Sequence, residues 1–257
     1  GEFMKKKYIF FDIDGTLTND NPGGIILPST RRALKKLQEN GHFVAIATGR
    51  AHWMAMDAAE ETGILNLVHD GGNGITIDGK VQWIHPLDRK KALLIIDEAM
   101  ANGFHVEVVI DDTPAHYTKT APKEDAGWCD IIVKPDMDFH QLKEIYKVYI
   151  TMTQEEESQL KHLKTLGYMR YRPDGIIVEP DDKYHGIVDL VQLVGGNEED
   201  IVVFGDGHND YTMFKQAPMS IAMGNAIDEL KEIATFITKS NKENGIEYAC
   251  QHFGWID

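Results

Sequence analysis

Short apolar segments of β-strand type alternate with amphipathic helical patterns in the first third of the chain and again in its last third. The first apolar segment is Tyr8–Phe11 and the second is Phe43–Ala47. The helical stretch between them can be capped by Ser29 and ends at Gly41. This alternation is typical of a parallel β-sheet whose strands are connected by helices. We therefore expect an α/β fold built on such a sheet.

The middle of the chain follows a different pattern from about Pro86 onward. Helical patterns are followed there by β-type segments in two successive units, and a strand pair turned at Pro173 and Asp174 closes the region. The predicted helices are 89–102, 139–144 and 154–166, and the predicted strands are 105–110, 147–153, 168–172 and 175–179. We interpret 86–178 as an inserted α+β domain within a core domain formed by 4–85 and 179–257.

The charge balance and the cysteine count restrict the class of protein. The 257 residues include 26 Lys and Arg against 41 Asp and Glu, a formal net charge of -15. This charge repels polyanions, so we expect no nucleic-acid partner. No apolar run is long enough to span a bilayer and no signal peptide follows the expected start at Met4, so we expect a cytoplasmic protein without a membrane partner. The two cysteines, Cys129 and Cys250, are expected to be ordinary thiols. We also expect the protein to be a monomer or small homo-oligomer.

Polar side chains follow three of the predicted strands at the point where each strand ends. They are Asp12 and Asp14 after the first strand, Thr48 and Gly49 after the second, and Asp206, Asn209 and Asp210 after the strand at 201–204. In an open parallel sheet, ligands bind at the carboxyl ends of the strands. We therefore expect these residues to share one site.

The residue types of this site indicate a metal ion and an anion. Four ionised aspartates cannot crowd together without a cation, and a hard ion that keeps room for water and a phosphate oxygen is Mg²⁺ rather than Ca²⁺. Thr48 and Gly49 precede a predicted helix, whose first N–H groups can hold a phosphate. Lys183 begins another predicted helix and is the positive side chain expected to face that phosphate.

Four segments carry a resemblance to a known superfamily. They are FFDIDGTLT at positions 10 to 18, ATGR at 47 to 50, Lys183 within DKYHG at 182 to 186, and GDGHND at 205 to 210. In this order and spacing they resemble the four motifs of the haloacid dehalogenase (HAD) superfamily. The insertion between the second and third motifs resembles the C2B cap of the Cof-type phosphatases. The resemblance implies a Rossmann-like parallel-sheet core domain with an inserted α+β cap domain.

The resemblance also implies a reaction and its catalytic residues. The reaction is Mg²⁺-dependent hydrolysis of small phosphorylated metabolites, such as sugar phosphates or a vitamin precursor phosphate, through an aspartyl-phosphate. Asp12 would be the nucleophile, and Asp14 would protonate the leaving oxygen and then activate water. Thr48 and Lys183 would complete the catalytic set.

Two ligand sets follow from the same motifs. The metal would be held by the carboxylates of Asp12 and Asp206 and by the backbone carbonyl of Asp14, with support from Asp210. The phosphoryl oxygens would be bound by Thr48, Gly49, Lys183 and Asn209.

Two other functions remain open on the sequence alone. A phosphomutase uses the same nucleophile, but such mutases commonly carry a small helical cap between the first two motifs. In this chain only a short segment separates Asp14 from Thr48, which disfavours a mutase. A sensor that binds a phosphorylated metabolite without turnover is expected to lose Asp12 or Asp14, and both are present.

The remaining polar and aromatic residues are given structural roles or left open. The histidines show no spacing typical of a zinc site, so none is expected. Arg50 is left outside the site as a structural salt-bridge residue. Asn73 lies in a Gly-rich turn and either contacts substrate or simply closes the turn. Trp128 and Tyr149 could line a substrate face, although core packing is the more common role of such residues.

Overall fold

The computed structural model describes residues 5–257, and the expected start at Met4 lies outside the described residues. The chain divides into two compact units. The first unit contains the residues up to Ile84 together with Asp182–Asp257, and the second unit is His85–Asp181. Each unit has its own β-sheet and its own hydrophobic core.

The strands and helices are numbered along the chain. The strands are β1 (Tyr8–Phe11), β2 (Phe43–Ala47), β3 (Leu67–His69), β4 (Gly74–Ile77), β5 (Lys80–Ile84), β6 (His105–Val109), β7 (Ala115–Thr118), β8 (Asp130–Val133), β9 (Lys147–Thr151), β10 (Tyr168–Arg172), β11 (Gly175–Val178), β12 (Ile201–Gly205), β13 (Met219–Ala222) and β14 (Phe236–Ile237). The helices are α1 (Pro28–Glu39), α2 (His52–Thr62), α3 (Arg89–Ala101), α4 (Tyr184–Leu193), α5 (Tyr211–Gln216), α6 (Asp228–Ile233) and α7 (Gly245–His252). Among the described residues, none of these helices combines the length and apolar character needed to cross a membrane.

The sheet of the first unit has the strand order β14-β13-β12-β1-β2-β3-β4-β5. The strands from β14 to β3 run parallel, while β4 and β5 are antiparallel additions at one edge. The fold is therefore the expected mixed α/β fold with a parallel-sheet core. Phe11, the last residue of β1, pairs with Phe204 on one side and Ile46 on the other, so the segments that follow these three strands start side by side.

Both faces of the parallel sheet are buried, which explains why β1 is apolar at every position. Ile9 and Phe11 point to one hydrophobic cluster, which also contains buried residues of α1, α2 and α7. Tyr8 and Phe10 point to the opposite cluster, which contains buried residues of α4, α5 and α6. Strands covered on both faces are typical of parallel sheets with crossover helices.

The second unit is an α+β layer with the strand order β10-β11-β9-β6-β7-β8. Its neighbouring strands are antiparallel, except that β7 and β8 run parallel. Alternate residues of the central strands, such as Val106, Val108 and Ile150, pack with the buried residues of α3. Because side chains alternate across a strand, the intervening residues, Glu107 among them, lie on the opposite face of the sheet.

Two helices predicted for this unit are wrong. The segment 139–144 contains only a single 3₁₀ turn at Phe139–Gln141, in which Phe139 is the one buried residue. The segment 154–166 contains two short 3₁₀ turns instead of an amphipathic helix. Its acidic residues bind neighbouring groups: Glu157, for example, forms an ion pair with Arg170.

The sequence patterns also missed three elements and one helix start. Strands β7 and β8 are short and carry polar residues, and α7 is only eight residues long. Helix α1 begins at Pro28, and Ser29 does not cap it but donates from its hydroxyl to Asn244 Oδ1 at 2.6 Å.

Candidate active site

Three aspartates meet at the carboxyl ends of β1 and β12. Asp12 directly follows β1, and Asp206 and Asp210 follow β12. All three side chains are buried, and each offers a carboxylate oxygen within 4.8 Å of the others. We call Asp12, Asp206 and Asp210 the carboxylate cluster.

Glycines allow the chain to pass this close to the carboxylates. Gly15 adopts a φ of +81°, in the left-handed region that favours glycine. A Cβ at Gly15 would collide with the carboxylate of Asp206, and a Cβ at Gly205 would collide with that of Asp210. The glycines of both motifs are therefore required by the geometry of the cluster.

Lys183 places a buried ammonium group among the carboxylates. Its Nζ lies 2.7 Å from Asp210 Oδ1 and 3.4 Å from Asp12 Oδ1, and it donates to the carbonyl oxygen of Ala47 at 3.0 Å. Burial lowers the pKa of Lys183, but the charges of Asp12 and Asp210 outweigh this and raise the pKa above its ordinary value. Lys183 is therefore charged at neutral pH.

The carboxylate cluster carries more negative charge than one lysine can balance. Burial and then the charge of Asp210 raise the pKa of Asp12 well above its usual range. The same two causes raise the pKa of Asp206 to about 6. A divalent cation would offset this repulsion and favour the ionised forms of Asp12 and Asp206.

The donor set of the cluster is made of oxygen atoms. The hydroxyl of Thr16 donates to Asp206 Oδ1 at 3.0 Å, which orients that carboxylate. Carboxylate oxygens are the ligands that Mg²⁺ prefers, so the residues present fit a magnesium ion. Zinc sites, by contrast, are usually built from nitrogen and sulfur ligands.

The second motif forms the loop between β2 and α2. Thr48 is buried, its N–H donates to the carbonyl of Val68 at 2.9 Å, and its hydroxyl accepts from the N–H of Arg50 at 3.0 Å. Gly49 is partly buried in the same loop, and Asn209 is partly buried in the turn at His208–Asp210. Lys183 reaches this loop through its bond to Ala47, which brings the second, third and fourth motifs together.

The side chain of Asp14 is not one of the three that form the carboxylate cluster. The Arg50 guanidinium donates to both of its oxygens, with a distance of 2.9 Å from Nε to Oδ2. The N–H of Gly23 also donates to Asp14 Oδ1 at 2.9 Å. Arg50 is indeed a salt-bridge residue, but its partner is the predicted proton donor, which the sequence analysis did not foresee.

Three further residues support the cluster, and none of them was assigned a role in the site from the sequence. They are Thr16, Asn21, whose Nδ2 lies 3.4 Å from Asp206 Oδ2, and Asn225, whose Nδ2 donates to the carbonyl of Gly15 at 2.9 Å. Asn225 follows β13 closely, so the strand-end rule that singled out Asp12 could also have found it. Asn73 donates its N–H to the carbonyl of Asp70, as a turn residue does.

A second cluster of titratable groups lies within the second unit. Glu107, His116 and Cys129 each offer one potential ligand atom, and these atoms lie within 4.8 Å of one another. We call them the Glu–His–Cys trio. Burial and then the charge of Glu107 raise the pKa of Cys129 to about 11. A thiol with so high a pKa is a poor nucleophile, so the trio does not have the properties of a cysteine-dependent catalytic triad.

Comparison with known proteins assigns the chain to a family. The family model of the haloacid dehalogenase-like hydrolases matches residues 9–249. The chain therefore belongs to the haloacid dehalogenase-like hydrolases, as the four motifs predicted.

Similar proteins align with this chain over nearly its whole length. "Putative phosphatase YkrA" of Bacillus subtilis is 31% identical and aligns over 98% of this chain and 100% of its own length. "5-amino-6-(5-phospho-D-ribitylamino)uracil phosphatase YwtE" of the same organism is 29% identical over 94% of this chain and 96% of its own. The solved structure of a HAD subclass IIB sugar phosphatase superposes with a TM-score of 0.80 at 25% identity, over 98% of this chain and 100% of its own. The chain is thus similar throughout its length to HAD phosphatases, and its class is that of enzymes that hydrolyse phosphate esters.

Proposed function

We propose that the protein is a Mg²⁺-dependent phosphatase that hydrolyses small phosphorylated metabolites through an aspartyl-phosphate on Asp12. The observation that carries the proposal is the carboxylate cluster itself. Three buried carboxylates lie together, and two of them, those of Asp12 and Asp210, contact the Lys183 ammonium. Lys183 also donates to Ala47, directly before the loop of Thr48 and Gly49. Such a site would suit a divalent cation beside one phosphoryl group, which is what phosphoryl transfer by positioning and charge neutralisation requires.

Asp12 is the proposed nucleophile. One carboxylate oxygen of Asp12 attacks phosphorus, a new O–P bond forms, and the bond from phosphorus to the ester oxygen breaks. Lys183 lies within 3.4 Å of Asp12 Oδ1 and neutralises charge where the phosphoryl group is transferred. Water then attacks phosphorus, the bond to Asp12 breaks, and inorganic phosphate leaves.

Asp14 is the proposed proton carrier of both steps. It gives a proton to the leaving ester oxygen and takes one from the attacking water. Arg50 holds its carboxylate by two hydrogen bonds and sets the position from which Asp14 must act.

The cofactor is proposed to be Mg²⁺, held by Asp12, Asp206 and the backbone carbonyl of Asp14, with Asp210 supporting the shell. When bound, it supplies positive charge to the phosphoryl oxygens and to the nucleophilic carboxylate. Asp210 accepts from the N–H groups of Asp206 and Gly207 at 2.9 and 3.1 Å, so it fixes the loop that carries Asp206.

Phosphate binding is proposed for Thr48, Gly49, Lys183 and Asn209. Thr48 and Gly49 precede α2, where backbone N–H groups lack helical partners and favour an anion. Lys183 adds a full positive charge from the start of α4. The four positions come from three different motifs, so the binding of one phosphoryl group draws on the whole loop cluster.

Small metabolites such as sugar phosphates are the proposed substrate class. Two of the similar proteins are named for substrates of this kind, a sugar phosphatase and a phosphatase of a phosphoribitylamino compound. The similarity to subclass IIB supports the assignment of 86–178 as a C2B cap domain inserted into a core of 4–85 and 179–257. We further propose a cytoplasmic enzyme, monomeric or in small homo-oligomers, without a nucleic-acid partner, since the net charge of -15 repels polyanions.

Hydrolysis of p-nitrophenyl phosphate by the purified chain, with and without Mg²⁺, tests the proposal. Turnover that requires Mg²⁺ and is lost in Asp12→Ala is the expected result. Thermal stabilisation by phosphate esters that are never hydrolysed would instead identify a sensor. Transfer of the phosphoryl group to a second position of the same sugar, without release of phosphate, would identify a mutase.

A further inference from the structure

The second unit carries a pocket on one face of its sheet. Val106, Val108 and Ile150 of the central strands face α3. The pocket lies on the opposite face of the sheet, among the residues that alternate with them along the strands. Its lining includes Glu107, Trp128, Cys129, Tyr149 and Tyr171. Charged, sulfur-containing and aromatic side chains thus share one concave surface.

Two members of the Glu–His–Cys trio, Glu107 and Cys129, line this pocket, and His116 is buried beside them. Strand pairing fixes the positions of all three. Glu107 is on β6, His116 is on β7, and Cys129 immediately precedes β8. β7 pairs with β6 on one side and with β8 on the other, so three separate segments deliver one side chain each. His116 is 2% exposed, which restricts the directions its ring can take.

Hydrogen bonds hold the carboxylate and the imidazole of the trio in place. Glu107 Oε1 lies 2.9 Å from His116 Nδ1, and Glu107 Oε2 lies 2.7 Å from His105 Nε2. The rings of Trp128 and Tyr149 flank His116, with centroid distances of 5.1 and 4.5 Å. The contact with His105, which lies outside the trio, is of the carboxylate–imidazole kind that orients metal ligands. The bond between Glu107 and His116 joins two members of the trio, so an ion bound between them would replace it.

We propose that Glu107, His116 and Cys129 bind a divalent cation of the zinc class. The donors are oxygen, nitrogen and sulfur, a mixed set that suits Zn²⁺ and its neighbours in the first transition row and does not suit Mg²⁺. Tetrahedral bonds of roughly 2.0–2.3 Å place ligand atoms about 3.3–3.8 Å apart. The potential ligand atoms of the trio lie within 4.8 Å of one another, so side-chain shifts of about an ångström would bring all three into bonding distance of one ion.

Charge balance supports the same ion. A Zn²⁺ ion with the Glu107 carboxylate, a Cys129 thiolate and a neutral His116 has no net charge, and a neutral complex is the least costly to bury. On binding, the Cys129 S–H bond breaks, sulfur bonds to the ion, and the proton leaves to solvent. Three protein ligands leave a fourth position for water or another small donor from the pocket.

Cobalt binding to the full chain tests the proposal, with Co²⁺ as a coloured substitute for Zn²⁺. One equivalent is expected to give a sulfur-to-cobalt charge-transfer band, which requires a thiolate ligand. One equivalent of Zn²⁺ removes the band, and a large excess of Mg²⁺ does not. The carboxylate cluster of the first unit contains no sulfur, so Asp206→Asn retains the band and serves as the matched control.

Two variants identify the cysteine whose sulfur gives the charge-transfer band. Cys129→Ala abolishes it and weakens Zn²⁺ binding by at least about 100-fold in competition with a chromogenic chelator. Cys250→Ala, at the other free cysteine, retains it. Absence of the band in the unaltered chain, or its persistence in Cys129→Ala, overturns the proposal.

A measurement on the unaltered chain keeps the test decisive if Cys129→Ala fails to fold. Zn²⁺ is expected to slow alkylation of Cys129 by more than about tenfold, because a metal-bound thiolate is shielded. Peptide mass spectrometry reads this rate separately from that of Cys250. Equal alkylation rates of Cys129 with and without Zn²⁺ overturn the proposal.

Discussion

The carboxylate cluster and the Glu–His–Cys trio bring potential metal ligands together by different means. Asp12, Asp206 and Asp210 belong to two short motifs that end neighbouring parallel strands. Glu107, His116 and Cys129 come from three segments with no common motif, joined only by strand pairing. The first arrangement presents oxygen alone and the second presents oxygen, nitrogen and sulfur. Residues that meet at strand ends therefore lie in short motifs that the sequence reveals. Residues that meet on the face of a sheet come from separate segments, and the sequence does not reveal them as a group.

The largest effect is expected from Asp12→Asn in the carboxylate cluster. Loss of the nucleophile is predicted to reduce kcat for p-nitrophenyl phosphate by at least about 10⁴-fold, with little change in the far-ultraviolet circular dichroism. Asp97→Asn is the matched control, because Asp97 is an exposed aspartate of the second unit that pairs with His140. A kcat that falls equally in both variants would contradict the special role of Asp12.

Chelation separates the two clusters by their ion preference. Removal of divalent ions is predicted to lower kcat by about 10³-fold, since the cation contributes several kcal/mol to the transition state. Mg²⁺ restores turnover by filling the carboxylate cluster, whereas Zn²⁺ bound to the sulfur-containing trio does not. Steady-state assays after dialysis against EDTA measure this. Full activity in the chelated protein would contradict the proposed cofactor.

Lys147→Met tests how much a buried ion pair outside the two clusters contributes to the stability of the second unit. Lys147 Nζ lies 2.6 Å from Glu179 Oε2, and both side chains are almost fully buried. Removing the ammonium takes the ion-pair partner from a buried carboxylate, which is predicted to cost about 3–5 kcal/mol of unfolding free energy. Urea denaturation measures the change. Arg31→Met, which removes the cation of an exposed ion pair with Glu61, is expected to leave the midpoint unchanged.

The smallest effect is expected from Arg50→Lys. A lysine cannot reproduce the two hydrogen bonds that Arg50 donates to Asp14, so the proton carrier is held less firmly. We predict a decrease in kcat of about tenfold with KM nearly unchanged. Arg31→Lys, at the exposed pair with Glu61, is the matched control. An unchanged kcat in Arg50→Lys would show that the orientation of Asp14 does not depend on this pair.

The sequence was sufficient for the core sheet because its first two strands, β1 and β2, and the β12 residues Ile201–Phe204 are continuous apolar runs. It was insufficient for the second unit, where β7 and β8 mix polar and apolar residues and the helices predicted at 139–144 and 154–166 are short turns. Their conformation depends on contacts such as that between Glu157 and Arg170, which no periodic pattern reveals.

Contacts between individual side chains were also only partly predictable from the sequence. The motifs brought Asp12, Asp206, Asp210 and Lys183 into consideration, and the structure places these four together. The partnership of Arg50 with Asp14 depends on the local path of two loops, and the approach of Cys129 to His116 depends on the register of β7 and β8. Spacing rules for zinc ligands assume ligands close in sequence, so they do not detect such a trio.

Chemical trapping of the phosphorylated protein tests the central claim most directly. Borohydride added during turnover of a phosphate ester reduces an aspartyl-phosphate to homoserine, and peptide mass spectrometry locates the modified residue. We predict homoserine at position 12 and at no other aspartate, dependent on substrate and on Mg²⁺. Turnover without modification of Asp12, or modification of a different carboxylate, would contradict the account.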